Sequence, residues 1–456
     1  MFKASKERPC SIKSKGMIKM SNFDELFELW QDYFKERVVK NEHLIRPLFH
    51  SFLGIVLPVN IVWAGSYNSL RINIFSIQNS GTGKGQAMKA LHFLIDWLGT
   101  KHSLDLKSSY TTKMTDAALA GTVELLGRRS RREGGNLNIQ PLRGALSKYN
   151  LICWDEGDII FRNIPYMETV RDTLNMAIDE PGWVNKELRL GSIKYPTNTT
   201  IVAGSLLKHD ISRSVVNEGF LQRMFLIYRN FTEQELDEID KELIRLYQVN
   251  YRETEEKKER LYQKLKNVLD NVNKYNVQDA WSSKKVIRFD ESILPEINRI
   301  KDNLKKEYFS EQFKDESFQE TARSFYSRLH LPLNKIAAQR AIVNLSDNVG
   351  IEDFRYAAGV VKIHCESVFN LLENISRNVE FTTRPRENII LDILRNGKKN
   401  RSEIIQMLHT MYQKGGWGLG LSGTKNLLKE MVRNGKIKER NVPDGVGRPE
   451  VYYSIE

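Results

Sequence analysis

Cysteine is scarce. The 456 residues hold only Cys10, Cys153 and Cys365, and no two of them stand at C-x-x-C spacing. That argues against a disulfide framework and a cysteine zinc site, and for a reducing compartment. Long apolar runs are also missing. The longest, FLGIVLPVNIVWAG (Phe52 to Gly65), is too short to span a bilayer and is interrupted by Pro58 and Asn60. No apolar h-region accompanies the basic first twenty residues, so they do not read as a secretion signal. Neither internal repeats nor low-complexity tracts occur. A soluble cytoplasmic protein with no membrane partner is the expectation. Acidic residues are in deficit, 57 against 69 Lys and Arg, for a net charge of +12. That excess favours a polyanionic partner, although many basic proteins bind nothing acidic. With 41% hydrophobic and 28% charged residues the chain is globular, and its length calls for two or three domains.

Hydrophobic periodicity divides the chain. Residues 1–20 read as a flexible basic tail, and 21–69 as a helical segment that packs on the domain after it, with Phe23, Leu26, Phe27, Leu29, Trp30 and Phe34 at helical spacing. From 70 to 231, the apolar strands RINIFSI, YNLICWDE, TTIVAGSL and FLIYRNF alternate with helical stretches. That alternation implies an α/β domain with a parallel sheet and ligands at the carboxyl ends of its strands. Residues 232–380 read as helical, first a charged insertion and then a block with an apolar face. Past the linker TTRPRE, residues 386–456 form a separate unit.

The stretch SIQNSGTGKGQ joins a strand to a helix but departs twice from the phosphate-loop pattern G-x-x-x-x-G-K-[ST]. Gln78 replaces its first glycine, and Gly85 replaces the hydroxyl residue after Lys84. What a phosphate needs is still present: freely turning backbone N–H groups at Gly81, Thr82, Gly83, Gly85 and Gln86, a lysine among them, and a helix N-terminus behind. A plain glycine-rich turn is the competing explanation. Further on, the strand YNLICWDE ends in Asp155 and Glu156, the order a P-loop ATPase requires: Asp155 for the Mg²⁺ shell, Glu156 to polarise the attacking water. Such an acidic pair otherwise serves as a helix cap. Ser205 ends the next strand, placed for the γ-phosphate or the water. Arg223 precedes the last, where a lone arginine is ordinarily a surface ion pair.

Taken together and in this order, SGTGKGQ, RGALSKYNLICWDEGDII, LQRMFLIY and SRLHLPLNKIAAQRAI followed by GIEDFRYAAGVV resemble the ATPase core of the minichromosome-maintenance (MCM) helicases, members of the AAA+ class, from about Glu42 to Phe369. The resemblance implies an AAA+ P-loop core with a helical lid, binding ATP and Mg²⁺. Lys84, Asp155, Glu156 and Ser205 would serve the chain's own nucleotide, with Asp155 toward the metal. Arg223 and Arg328 would act across a subunit boundary in a homohexamer. Ser205 stands where the family usually has Asn. The family's large amino-terminal DNA-binding domain has no counterpart here, which suggests a compact form such as a mobile genetic element or virus would carry. Two family insertions that contact DNA have counterparts. One is GRRSRREGGNLNIQP, with Arg128, Arg129, Arg131 and Arg132. The other is GWVNKELRLGSIKYPTNTT, with Lys186 and Arg189. For both, a merely solvated loop is the alternative.

The last unit reads as a winged helix. RSEIIQMLHTMYQ and SGTKNLLKEMVRNGKIKER are amphipathic helices, and NVPDGVGRPEVYYSI is a β-wing. Lys425, Lys429, Arg433 and Arg448 are its candidate DNA contacts, although such domains also dock proteins. The expectation is an ATP-dependent translocase or helicase on single- and double-stranded DNA in replication, working with a replication initiator or primase. The alternatives are an ATP-switched initiator or helicase loader that remodels DNA without translocating, and a non-hydrolysing DNA-binding scaffold.

Overall fold

The computed structural model describes residues 20–63, 66–112, 114–125, 139–161, 165–180, 182–188, 191–207, 216, 219–246, 251–272, 285–309, 316–383, 386–395, 397–411, 421–442 and 450–455. Two helices open it, α1 (Asn22–Lys35) and α2 (Glu42–Val56). Ser21 caps α1, its Oγ accepting the Asp24 amide at 3.1 Å. The helix buries Phe23, Leu26, Trp30, Tyr33 and Phe34, a 3.6-residue stripe that packs against Phe49 and Phe52 of α2.

The strands β1 (Val59–Trp63) and β2 (Ser66–Ser69) lead into the α/β region: β3 (Ile74–Gln78), α3 (Lys84–Lys101), β4 (Ser108–Thr111), α4 (Asp116–Ala120), β5 (Gly121–Leu125), β6 (Ile139–Arg143), β7 (Leu151–Trp154), α5 (Pro165–Ile178), β8 (Trp183–Leu188), β9 (Gly191–Pro196), β10 (Thr200–Leu206) and β11 (Phe225–Arg229). Helices α6 (Glu233–Leu246) and α7 (Tyr251–Val272) come next, then β12 (Lys285–Phe289), α8 (Leu294–Tyr308), α9 (Glu316–Arg328), α10 (His330–Val343), β13 (Asn348–Val349) and α11 (Ile351–Thr383).

Five strands form one parallel sheet in the order β11-β3-β10-β7-β4. Its central strands are apolar on both faces, as a covered parallel sheet requires: every residue of β3 and β7 is buried. Side chains alternate between two cores. Ile74, Cys153, Val202 and Ile227 join the core under α1, α2, α3 and α10, while Phe75, Trp154, Ala203 and Leu226 join the one under α5 and the β8/β9 hairpin. Because the strands are parallel, all their carboxyl ends share one edge.

Two features differ from the sequence expectation. Edge strand β4 is spelled SSYT and carries no aliphatic signal, so it does not stand out as a strand. The stretch read as wholly helical contains β12, which pairs in parallel with β1 in a second sheet of order β13-β12-β1-β2. Val59–Trp63 and Ser66–Ser69 are therefore strands, β1 tied to β12, not helix.

The last unit comprises α12 (Arg386–Arg395), β14 (Lys399–Asn400), α13 (Arg401–Met411), α14 (Leu421–Arg433), β15 (Lys438–Val442) and β16 (Glu450–Ser454). It closes a core of its own around Ile390, Ile404, Leu428 and Met431, with a three-stranded antiparallel sheet, β14-β16-β15. After α14 the chain turns at Gly435 (φ +69°), and the segment KIKER, read as the end of a helix, instead leads into β15. Among the described residues no helix is long and apolar enough to cross a membrane.

Candidate functional site

The turn after β3 is built for close approach of a ligand to backbone. Gly81 and Gly83 take φ of +79° and +77°, in the left-handed region that favours glycine. A Cβ on Gly83 would also fall 2.4 Å from Val39 Cγ2. Helix α3 starts immediately behind, at Lys84. Gln78, the residue that breaks the motif, is fully buried and holds the loop. Its Oε1 accepts bonds from Asn41 Nδ2 at 3.0 Å and Thr82 Oγ1 at 3.1 Å, and Asn41 Nδ2 reaches the Thr82 carbonyl at 3.0 Å. Asn79 ties the other side to the end of β11, accepting the Phe231 amide at 2.7 Å. Side chains thus fix a turn that the motif's first glycine would leave free.

Lys84 Nζ folds back onto the loop, donating to the carbonyls of Gln78 (3.0 Å) and Asn79 (2.5 Å). Burial, opposed by Asp155, lowers its pKa to about 8. Three buried side-chain atoms around the loop have no partner: Asn41 Oδ1, Gln78 Nε2 and Gln86 Oε1. Of the three only Gln78 Nε2 is a donor, and it and the desolvated Lys84 ammonium are the side-chain groups suited to an anion.

Strand β7 carries Asp155 and Glu156 to the same edge. Asp155 Oδ2 accepts the Tyr110 hydroxyl at 2.5 Å, and Oδ1 accepts the Glu156 amide at 3.2 Å. Glu156 is exposed and sits at φ +58°, a strained conformation for a residue with a Cβ, costing of order 1–3 kcal/mol. A Cβ on Gly85 would lie 3.2 Å from Asp155 Oδ2. Ser205 is buried, its hydroxyl turned onto the Leu206 carbonyl at 3.0 Å. One residue earlier, Gly204 is the position on β10 that faces the acid, a Cβ there standing 3.8 Å from Asp155 Oδ1.

Arg223 and Arg328 lie elsewhere. Arg223 lies two residues before β11, whose first residue pairs with the first residue of β3. It therefore stands at the amino edge of the sheet, while the loop leaves the carboxyl edge. With β3 five residues long, the two edges are roughly 15 Å apart. Arg223 Nε bonds Asp179 Oδ1 at 2.7 Å, and Arg328 Nη1 approaches the same oxygen at 3.7 Å. Burial, then repulsion from Arg223, lowers the Arg328 pKa from its ordinary value. Beside them Glu180 takes Lys335 at 2.9 Å and Arg71 at 3.4 Å. Burial would raise its carboxyl, but Lys335 and Arg71 outweigh that and hold it well below the usual range. The cleft combines Arg71, Arg223, Arg328 and Lys335 with two carboxylates, Asp179 and Glu180, a cationic surplus.

Both insertions are hairpins at their stems: β5 pairs antiparallel with β6, and β8 with β9. Tyr195 of β9 donates to the Ala120 carbonyl at 2.8 Å and so joins one to the other. Arg128, Arg129, Arg131, Arg132 and Arg189 lie outside the described residues, as does Arg448. Lys186 is not the free cation the sequence suggested. Strand alternation turns it to the packed face, where it is bonded to Asp116, itself held by Thr173 Oγ1 at 2.6 Å. The solvent face carries Trp183 and Lys194, the ammonium 5.9 Å from the indole centroid. Period-2 counting from the buried Val184 would have found them. On α14, Lys425, Lys429 and Arg433 are all exposed, opposite the buried Leu428 and Met431.

No protein-family model matches the chain, and no curated protein sequence matches it. Among the described residues no cluster of three or more His, Cys, Asp or Glu could form a metal cage. Mg²⁺ beside phosphates does not need one, since it commonly takes one or two carboxylates and keeps several waters. Asp155, with the gap at Gly85 beside it, fits that donor set.

Proposed function

We propose that the chain is an ATP hydrolase of the AAA+ type that acts on DNA as an MCM-like helicase or translocase, assembled as a homohexameric ring. The observation that carries this reading is the separation of the two half-sites. Loop, lysine and acids occupy the carboxyl edge of the sheet, while Arg223 and Arg328 converge at the amino edge. Roughly 15 Å is too far for those arginines to reach the phosphates of their own loop. A ring of identical subunits, packed edge to edge, brings each arginine pair to a neighbour's nucleotide.

Within this reading the loop amides and Lys84 hold the phosphates, and Asp155 would hold Mg²⁺, which would supply charge neutralisation for phosphoryl transfer. Glu156, exposed at the same edge, orients and polarises the attacking water. Arg223 and Arg328 stabilise charge on the neighbour's transferring phosphoryl group. The order of helices and strands in residues 386–455, with α14 presenting Lys425, Lys429 and Arg433, supports a winged helix that grips DNA phosphates. Hydrolysis measured with and without single-stranded DNA, beside a forked-duplex unwinding assay, tests this. DNA-stimulated hydrolysis with strand displacement is expected. Hydrolysis without displacement would make the chain a remodelling initiator, and no hydrolysis a scaffold.

A further inference from the structure

The loop lacks the hydroxyl that normally comes after its lysine, yet a hydroxyl is present at that place in space. A Cβ on Gly85 would point at Asp155 Oδ2 (3.2 Å) and at Tyr110 Oη (3.7 Å). The Tyr110 phenol already donates to that carboxylate oxygen at 2.5 Å. Resting on the nucleotide reading above, we propose that Tyr110 supplies from β4 the hydroxyl that the phosphate loop has lost at Gly85, positioning Asp155 and a water of the Mg²⁺ shell.

Two observations hold the phenol there. Strand β4 pairs with β7 so that Tyr110 stands opposite Cys153, two residues before the acid. Lys89 Nζ lies 5.4 Å from the ring centroid and the His92 ring at 6.1 Å, so the half-buried ring packs against α3 side chains. A neutral phenol has one proton to donate and lone pairs to accept with. The proton goes to Asp155 Oδ2, fixing the rotamer and leaving on Oδ1, which accepts the Glu156 amide at 3.2 Å, a further lone pair for the cation, while the phenol's own lone pairs can accept from a water on the cation. The loop hydroxyl and the phenol would compete for one small volume, which accounts for glycine at 85.

The test uses the whole chain and a non-hydrolysable ATP analogue, with affinity measured by calorimetry in EDTA and in Mg²⁺. Tyr110→Phe should leave the EDTA affinity unchanged and cut the gain from Mg²⁺ roughly tenfold, the size of a lost hydrogen bond to a charged group. Bound Mn²⁺, read by electron paramagnetic resonance, should weaken in parallel. Adding Gly85→Ser to Tyr110→Phe should restore the gain, because the serine hydroxyl then has the volume to itself. An unchanged Mg²⁺ gain in Tyr110→Phe, an equal loss in EDTA and in Mg²⁺, or no restoration in the double variant would each overturn the proposal. If the wild-type chain bound no analogue in either medium, the nucleotide reading itself would fall, a result separable from all of these.

Discussion

Arg223 and Arg328, far apart in sequence, close on one carboxylate oxygen, Asp179 Oδ1, at 2.7 and 3.7 Å. Two guanidinium groups sharing one anion leave the pair short of negative charge; in the ring proposed above, Asp179 would hold the place of a neighbour's phosphates. Asp179→Asn keeps the shape and removes the charge. It should raise the salt sensitivity of subunit assembly and leave nucleotide binding at the chain's own loop unchanged. Sedimentation over a salt series, beside analogue binding, checks both parts. Unaltered assembly would mean that Asp179 does not hold the arginines in any state that matters.

Gln78 offers a test in which motif logic and structure disagree. Restoring the standard glycine, Gln78→Gly, should destabilise the chain by about 1–3 kcal/mol, because buried Asn41 and Thr82 lose their acceptor. It should also weaken analogue binding. Denaturant unfolding reads the first effect and calorimetry the second. A gain in either would show that the side-chain clamp is dispensable.

Lys84 sets a pH dependence. Its pKa in the folded, ligand-free chain is lowered to about 8, below its unfolded value, so the unfolded chain holds more protons between those values and stability should rise with pH there. Phosphate binding requires the ammonium, so analogue affinity should fall as pH rises through about 8, with proton uptake on binding above that pH. Calorimetry in buffers of different ionisation enthalpy measures the uptake. In Lys84→Met the pH dependence should flatten.

The hairpin separates two lysines that the sequence alone does not. Lys186→Ala leaves Asp116 without its cation and should lower the melting temperature, with little change in the salt slope of DNA binding. Lys194→Ala should leave stability within about 0.5 kcal/mol and flatten the log–log salt slope by about one, as one lost phosphate contact does. Trp183→Ala should weaken binding to single strands more than to duplex, since a stacking surface acts on unpaired bases. If Lys186 rather than Lys194 carried the salt slope, the hairpin would present its other face in the assembly.

Much of this was legible because it is local. The four apolar strands, the loop and the acid pair announce themselves through short apolar runs and short spacings, and each strand begins and ends within three residues of its observed place. What escaped is what distance or polarity conceals. Strand β4 is polar and sits at the sheet edge, so SSYT carried no hydrophobic signal, and Tyr110 was hidden with it. Strand β12 pairs with β1 across the whole of the intervening α/β region, a register no local pattern reveals. Gln78 read as a defect because a motif records which residue is missing and not which bonds replace it. Lys186 was misplaced for lack of a face: alternation from Val184 turns it inward, onto Asp116. The meeting of Arg223 with Arg328 on Asp179 depends on α9 reaching the end of α5, which only the folded chain shows.

The most direct test of the two half-sites is to mix two inactive proteins. Arg223→Ala should bind ATP but lose turnover by a factor on the order of 10³ to 10⁵, as arginine-finger losses do, and Lys84→Ala should lose binding at its own loop. Mixed in equal amounts under assembly conditions, they should regain part of the wild-type hydrolysis, because some interfaces then pair an intact loop with an intact arginine. Hydrolysis that stays at background, in mixed assemblies confirmed by mass, would contradict the claim that a neighbour completes the site.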